Sequence, residues 1–185
     1  YINDFERTFE ISDLSDNNDW SPILTDIDVI IHCAARVHVM NDKASNPLEE
    51  FRNVNTRATL NLAKQASNSG VKRFVFISSI KVGGEISQVG NPLTEDSEYV
   101  PSDPYGLSKY EAEKQLLELA ERSEMEVVII RPTLIYGPGV KANFETMMKW
   151  ASKPIPLPFG AINNKRSVVS IDNLISFIEV CLTHP

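Results

Sequence analysis

Three runs of this chain are apolar almost without interruption, and longer amphipathic stretches separate them. Asp28-Val29-Ile30-Ile31-His32-Cys33-Ala34-Ala35, Lys72-Arg73-Phe74-Val75-Phe76-Ile77-Ser78-Ser79 and Glu126-Val127-Val128-Ile129-Ile130-Arg131-Pro132 read as strands buried on both faces, the mark of a parallel sheet. Between the first two, residues 47–69 place Leu48, Phe51, Val54, Leu60, Leu62 and Ala63 on or near one helical face, and Gly70 ends the helix. Between the second and third, a loop at 83–103 rich in Gly, Pro, Ser and acid leads to Asp103-Pro104. An Asp there caps free amides, and a Pro suits the first helical position, so a helix is expected from Pro104 to about Ser123.

The flanks are patterned less strongly. Residues 7–11 suggest a short strand, and residues 16–25 a short helix with Trp20 and Leu24 inward. Tyr136-Gly137-Pro138-Gly139 reads as a turn, 142–152 as a helix, 154–159 as extended and 167–171 as a short strand. Asp172 is then expected to cap a last helix through Cys181. Strands alternating with helices imply an α/β fold, a Rossmann-like doubly wound parallel sheet. Ligands of such sheets bind beyond the carboxyl ends of the strands, which nominates Ala34-Ala35, Ser78-Ser79 and Arg131-Pro132.

Composition narrows the class. The chain has 185 residues, 42% hydrophobic and 23% charged, enough for one α/β domain with a sizeable core. A net charge of −7 with no basic run argues against nucleic acid as a partner. No apolar run approaches the roughly 20 residues of a membrane span, and no signal-peptide pattern is present. Cys33 and Cys181 lack metal-ligand spacing and sit in apolar contexts, so two reduced, buried thiols in a cytoplasmic protein are expected. His32, His38 and His184 form no zinc-like cluster. Lys141, Lys149, Lys153 and Lys165 read as solvated charges.

Candidate chemistry gathers at the Asp103-Pro104 helix. Tyr105 and Lys109 lie one turn apart on one face, and an ammonium beside a phenol is expected to lower its pKa and make it a general base. Tyr110 and Lys114 repeat the spacing. Five residues turn the helix by roughly 140°, so the two pairs do not serve one site, and spacing leaves the choice open. Neither Ser78 nor Ser79 lies in a Gly-x-Ser-x-Gly turn, and no Gly-x-x-x-x-Gly-Lys phosphate loop is present. A strand-end serine and a Tyr-x-x-x-Lys on the next helix are suited to hold one substrate hydroxyl between them. Oxidation of that hydroxyl requires a nicotinamide, because no side chain accepts hydride.

Four ordered motifs then carry a resemblance. Ile31-His32-Cys33-Ala34-Ala35, Phe76-Ile77-Ser78-Ser79-Ile80-Lys81-Val82, Pro104-Tyr105-Gly106-Leu107-Ser108-Lys109 and Arg131-Pro132-Thr133-Leu134-Ile135-Tyr136-Gly137-Pro138-Gly139 resemble successive motifs of the extended short-chain dehydrogenase/reductases, in particular their nucleotide-sugar epimerase/dehydratase group. The resemblance selects Tyr105 and Lys109 over Tyr110 and Lys114, and with Ser79 it implies a catalytic set. It implies a dinucleotide site of Asp13 and Leu14 at the adenine, Ala34 and Ala35 at the pyrophosphate and ribose, Asn55 behind the active site, Ser78, Tyr105, Lys109 at the nicotinamide ribose, and Pro132 and Thr133 near the carboxamide. Ser79, Asn143 and Arg166 are implied for the sugar nucleotide. Arg suits a phosphate as a planar, permanent cation.

The implied reaction is nucleotide-sugar 4-epimerisation on UDP-glucose, UDP-galactose or their N-acetyl forms through a transient 4-keto sugar and NAD. A 4-keto-sugar reductase or a dehydratase of the same family, using NAD or NADP, is the alternative, and an inactive cofactor-less scaffold is the alternative of another class. The family pattern also implies a homodimer through the helices at 47–69 and 104–123. Against that pattern, residues 1–140 are expected to be a dinucleotide-binding domain incomplete at the N-terminus, and 141–185 the start of a smaller substrate-binding region. The family's glycine-rich turn would precede residue 1, so these residues alone are expected to bind dinucleotide poorly, to lack activity and to leave a sheet edge unpaired. Gly83, where many epimerases have Tyr, and Val37, where several have Lys, depart from the pattern.

Overall fold

The computed structural model describes residues 8–37, 46–88, 90–97, 99–140, 142–154, 156 and 164–184, without the side chains of 142 and 143. The three apolar runs form β1 (Val29–His32), β2 (Arg73–Ile77) and β3 (Glu126–Ile130), a parallel sheet in the order β1-β2-β3. Register runs Ile31 to Val75 and Val75 to Val128, so all three strands point their carboxyl ends the same way. Among the described residues no strand pairs with the free edge of β1.

Alternation along β2 divides the core. Phe74 and Phe76, fully buried, face a layer of helices and join Trp20, Leu24, Leu60, Ala63, Ala112 and Leu116. Val75 and Ile77 face the opposite side, where Ile130 and Leu174 complete a smaller cluster. The first layer holds α1 (Pro47–Arg52), α2 (Thr59–Asn68) and α3 (Pro104–Ala120). The helix expected over 47–69 is therefore interrupted: Asn53–Ala58 winds as a π-helix between α1 and α2. Its wider turn brings Asn55, Thr56 and Ala58 onto the buried side together, and such insertions concentrate at functional sites. Asp103 caps α3 as expected, its carboxylate accepting from the Gly106 amide at 3.1 Å.

Four corrections concern the flanks. Residues 8–11 form no strand, and residue 7 lies outside the described residues, as does most of the stretch at 154–159. The helix expected at 16–25 is a single 3-10 turn, Ser21–Ile23, although Trp20 and Leu24 are buried as expected. The 131–139 segment contains β4 (Leu134–Tyr136), which pairs in parallel with β5 (Val168–Ser170). After α4 (Ala142–Ala151) and β5, the chain enters α5 (Ile171–Thr183). Ser170 caps α5 by accepting from the Asn173 amide at 3.2 Å, and Asp172 sits in the first turn instead. A hydroxyl suits that position as well as a carboxylate. Helix α5 lies on the second face of the sheet, where Arg73 Nη1 reaches the Cys181 carbonyl at 2.9 Å. Helices thus cover both faces, as a doubly wound sheet requires.

Cys33 is exposed and Cys181 half-buried, against the expectation of two buried thiols. The outer face of β1 explains the first: Ile31, two residues earlier on the same side, is 43% exposed as well. Lys149 and Lys153 are surface residues with partners, the first on Glu145 and the second over the Trp150 ring at 4.5 Å. Lys165 is exposed, and Lys141 and His38 lie outside the described residues. No described helix is long and apolar enough to cross a membrane.

Candidate active site

The carboxyl end of β2 and the start of α3 come together. Past β2, Ser79 takes an extended conformation and its hydroxyl accepts from the Lys81 amide at 3.3 Å, capping a 3-10 turn at Ile80–Val82. The Ser79 hydroxyl also acts on the Tyr105 phenol, lowering its pKa. The Tyr105 ring is held edge-on to Phe51 of α1, centroids 6.2 Å apart. Lys109, one turn up α3, is 1% exposed, donates to the Ile77 carbonyl at 2.9 Å and stands 4.4 Å above the Phe76 ring. Ser79, Tyr105 and Lys109 therefore converge on one strand end. Tyr110 does not join them; it is half-buried with the Lys114 ammonium 5.8 Å from its ring.

Electrostatics at the pair run opposite to the expectation. Burial raises the Tyr105 phenol above its ordinary value, the Ser79 hydroxyl opposes that, and the Asp103 carboxylate raises it further. Lys109 is not among the groups that move it. Its ammonium is directed at Ile77 and Phe76, and burial brings its own pKa down to about 8, against upward pulls from Glu113 and Cys33. Spacing along a helix places two side chains on one face but says nothing of where a long lysine tip ends.

Behind this pair lies a network that joins the strand ends. Asn55 accepts from the Arg36 amide at 2.8 Å and donates to the Arg36 carbonyl and to the Ser108 hydroxyl, both at 3.0 Å. The Ser108 hydroxyl donates to the Tyr105 carbonyl at 2.8 Å, and the Ser108 carbonyl accepts from the Thr56 hydroxyl. Both amide hydrogens of Asn55 are thus committed within the chain, where they tie the segment just after Ala34 and Ala35 to α3. His32 lies between Phe74 and Phe76, bonded to the Thr59 hydroxyl at 2.9 Å. Burial first and then Lys109 lower its pKa to about 4, which keeps it neutral.

Sequence reasoning passed over Glu113 and named Arg131 only as part of a strand end. Glu113, 2% exposed, meets Arg131 at 2.6 Å, and Arg131 also reaches the Glu95 carbonyl at 3.0 Å. The i,i+4 step from Lys109 to Glu113 was the available signal.

The remaining candidates divide. Ala34 is exposed and Ala35 half-exposed at the end of β1. The Ser78 hydroxyl is buried without a hydrogen-bond partner among the described residues. Pro132 and Thr133 line a cleft of about 560 Å³ floored by Ile130, Leu174 and Phe177. Thr133 also borders an adjoining hollow of about 660 Å³, whose far wall is Lys165 and Arg166. Ser79, Tyr105 and Lys109 line neither. Asp13 and Leu14 occupy a loop tied to α2, since the Asn18 side chain donates to the Asp13 carbonyl and the Asn18 carbonyl accepts from Asn61 and Gln65. No hydrogen bond joins them to the Ser79–Tyr105–Lys109 group among the described residues. The Asn143 side chain lies outside the described residues.

Ala34 and Ala35 fit a dinucleotide, since small side chains there leave backbone open to a pyrophosphate, whereas Lys109 and the Ser78 hydroxyl are buried at the adjacent strand end. Among the described residues no cluster of His, Cys, Asp or Glu is arranged for a metal.

Known proteins are similar to this chain in sequence and in fold. The chain is 58% identical over 178 residues to a UDP-glucose 4-epimerase of Vibrio cholerae, covering 96% of the chain and 54% of that protein. It is 30% identical over 172 residues to an N-acetyl-alpha-D-glucosaminyl-diphospho-ditrans,octacis-undecaprenol 4-epimerase of Escherichia coli O157:H7, covering 92% of the chain and 50% of that protein. The chain thus spans about half the length of these curated relatives. A UDP-glucuronic acid 4-epimerase from Bacillus cereus, solved with NAD, superposes with a TM-score of 0.72 at 27% identity, over 90% of this chain and 53% of that one. The model of the NAD dependent epimerase/dehydratase family matches residues 2–185. With that match and its parallel sheet, the chain belongs to the NAD dependent epimerase/dehydratase family.

Proposed function

We propose that the protein is a nucleotide-sugar 4-epimerase acting on UDP-glucose and UDP-galactose or their N-acetyl forms. The observation that carries this reading is the gathering of Ser79 and Tyr105 past the carboxyl end of β2, with Lys109 one turn away on the Ile77 carbonyl. Ser79 orients the sugar 4-hydroxyl, and Tyr105 removes its proton and later returns it. The Ser79 hydroxyl favours the phenolate and offsets part of the burial that disfavours it. NAD, when bound, supplies the reversible hydride acceptor that no side chain provides. Lys109 would hold its ribose hydroxyls, Ala34 and Ala35 its pyrophosphate, Ser78, Pro132 and Thr133 its nicotinamide end, and Asp13 and Leu14 its adenine. Arg166, exposed and lining the adjoining hollow, would take a substrate phosphate, and Asn143 would join it. Residues 1–140 in this reading belong to the dinucleotide-binding domain and 141–185 enter the substrate-binding region.

Similarity to named 4-epimerases at 58% and 30% identity supports this assignment over a reductase. Incubating the full-length protein with UDP-glucose, UDP-galactose and the N-acetyl pair tests it. Interconversion of 4-epimers without net consumption of dinucleotide is the expected result. Stoichiometric loss of NADPH with a 4-keto sugar would make it a reductase, and no turnover with any of them would contradict the enzyme reading.

A homodimer through the helices at 47–69 and 104–123 belongs to the same proposal, supported by Leu117, 48% exposed on α3. Sedimentation as a monomer at micromolar concentration contradicts it. The free thiols Cys33 and Cys181 suit a reducing, cytoplasmic setting. A disulfide-linked form recovered from cells under thiol-trapping conditions would speak against that setting.

A further inference from the structure

One charged contact at the site has no part in the reaction described above. Lys81 ends on Asp103, Nζ to Oδ1 at 3.1 Å, with both side chains partly exposed. The same carboxylate oxygen accepts from the Gly106 amide at 3.1 Å. Oδ2 is buried and has no hydrogen-bond partner among the described residues. At the other end, the Lys81 amide donates to the Ser79 hydroxyl at 3.3 Å. One residue therefore touches the Ser79 hydroxyl through its backbone and the cap of the Tyr105 helix through its side chain.

We propose that Lys81 and Asp103 form a positioning clamp, in which Lys81 ties the Ser79 turn to the first turn of α3 and neutralises the carboxylate that caps it. Neither touches the hydroxyl that reacts; both act through Ser79 and Tyr105. The cap alone would start the helix, and Asp, Asn and Ser are comparable caps. The distinguishing feature is charge. A carboxylate two residues from Tyr105 disfavours the phenolate, and a lysine on that carboxylate offsets it.

The other groups around Tyr105 leave this balance to the pair. From α1 it meets Phe51, with the Arg36 guanidinium on that ring 5.5 Å from its centroid. From the β2 end it meets Ser79, and the Lys109 ammonium on its own helix is directed at Ile77. Backbone packing supports the clamp. A Cβ at Gly106 would stand 2.7 Å from Asp103 Oδ2 and 2.9 Å from Pro101 Cβ, so the missing side chain is what lets the carboxylate close onto the helix.

The kinetic consequence rests on the proposed role of Tyr105, whereas the effect on the phenol itself does not. The test therefore reads both, using full-length protein with carbon-13 at the tyrosine Cζ and the Tyr105 resonance assigned by its loss in Tyr105→Phe. Asp103→Asn keeps the cap and removes the charge, and is expected to lower the ionisation of Tyr105 by about one pH unit. Lys81→Met is expected to raise it by a similar step, and Lys81→Arg to leave it near wild type. Lys81→Met combined with Asp103→Asn should return towards wild type. In turnover, Lys81→Met should lose about tenfold in kcat at neutral pH with KM little changed, and recover as pH rises. A Tyr105 resonance unmoved by both single variants, or moved in the same direction by both, overturns the clamp. Opposite shifts without epimerisation in any form uphold the clamp and remove the reaction assigned to it. Epimerisation with an unmoved resonance does the reverse.

Discussion

The Lys109 ammonium donates to the Ile77 carbonyl at 2.9 Å, latching the helix that carries Tyr105 to the strand that runs out at Ser78 and Ser79. The latch draws a charge into the layer of Phe76, and burial holds its pKa at about 8 against 10.5 for a free lysine.

That difference has a sign. Between those two values the unfolded chain binds the extra proton, so stability increases as pH rises from about 8 to 10.5. Lys109→Met removes this increase, which is on the order of 3 kcal/mol. Urea midpoints of the two proteins measured across that window should converge or cross; parallel curves would contradict the burial of the ammonium.

His32 gives the matching dependence on the acid side. Its pKa is about 4 in the fold and 6.5 when free, so its contribution is complete above 6.5 and is lost as pH falls towards 4. His32→Gln should flatten the acid fall of the urea midpoint relative to wild type by up to about 3 kcal/mol. An unchanged slope would mean that His32 is charged or solvated in the fold.

Asn55 holds the backbone amide and carbonyl of Arg36 and the Ser108 hydroxyl. Asn55→Ala leaves buried partners unmatched and should cost about 2–4 kcal/mol in thermal or urea unfolding. It should also weaken dinucleotide binding in the full-length protein, because the loop of Ala34 and Ala35 loses its tether. A variant of wild-type stability would show that water replaces the amide.

Much of this fold was legible because its signals are strong and local. The strands at β1, β2 and β3 announce themselves by continuous apolar runs, and α3 by Asp103 and Pro104. Ser79 and Tyr105 were legible only through the order of motifs, since spacing alone left Tyr110 equivalent. The π-helix at Asn53–Ala58 was not, because one extra residue in a turn barely disturbs the apolar periodicity of 47–69. Three-residue β4 was hidden by the Pro and Gly that bracket it. The rise in the Tyr105 pKa escaped because it depends on burial and on the direction of the Lys109 tip, both tertiary facts.

Gly106 illustrates a local residue choice imposed by the site. Gly106→Ala should cost about 1–3 kcal/mol, since the new methyl meets Asp103 Oδ2 at 2.7 Å and Pro101 Cβ at 2.9 Å. In an exposed helix the same change would stabilise. Stabilisation here, read from the unfolding midpoint, would contradict the close approach of the cap.

The central claim is that Tyr105, whose phenol Ser79 acts on, removes the proton from the sugar. Comparing Tyr105→Phe with Tyr110→Phe in an epimerisation assay of the full-length protein tests it most directly. Tyr105→Phe should lower kcat by roughly 10²–10⁴-fold while unfolding like wild type, and Tyr110→Phe should turn over normally. Normal turnover by Tyr105→Phe, or loss of turnover in Tyr110→Phe alone, would contradict the account.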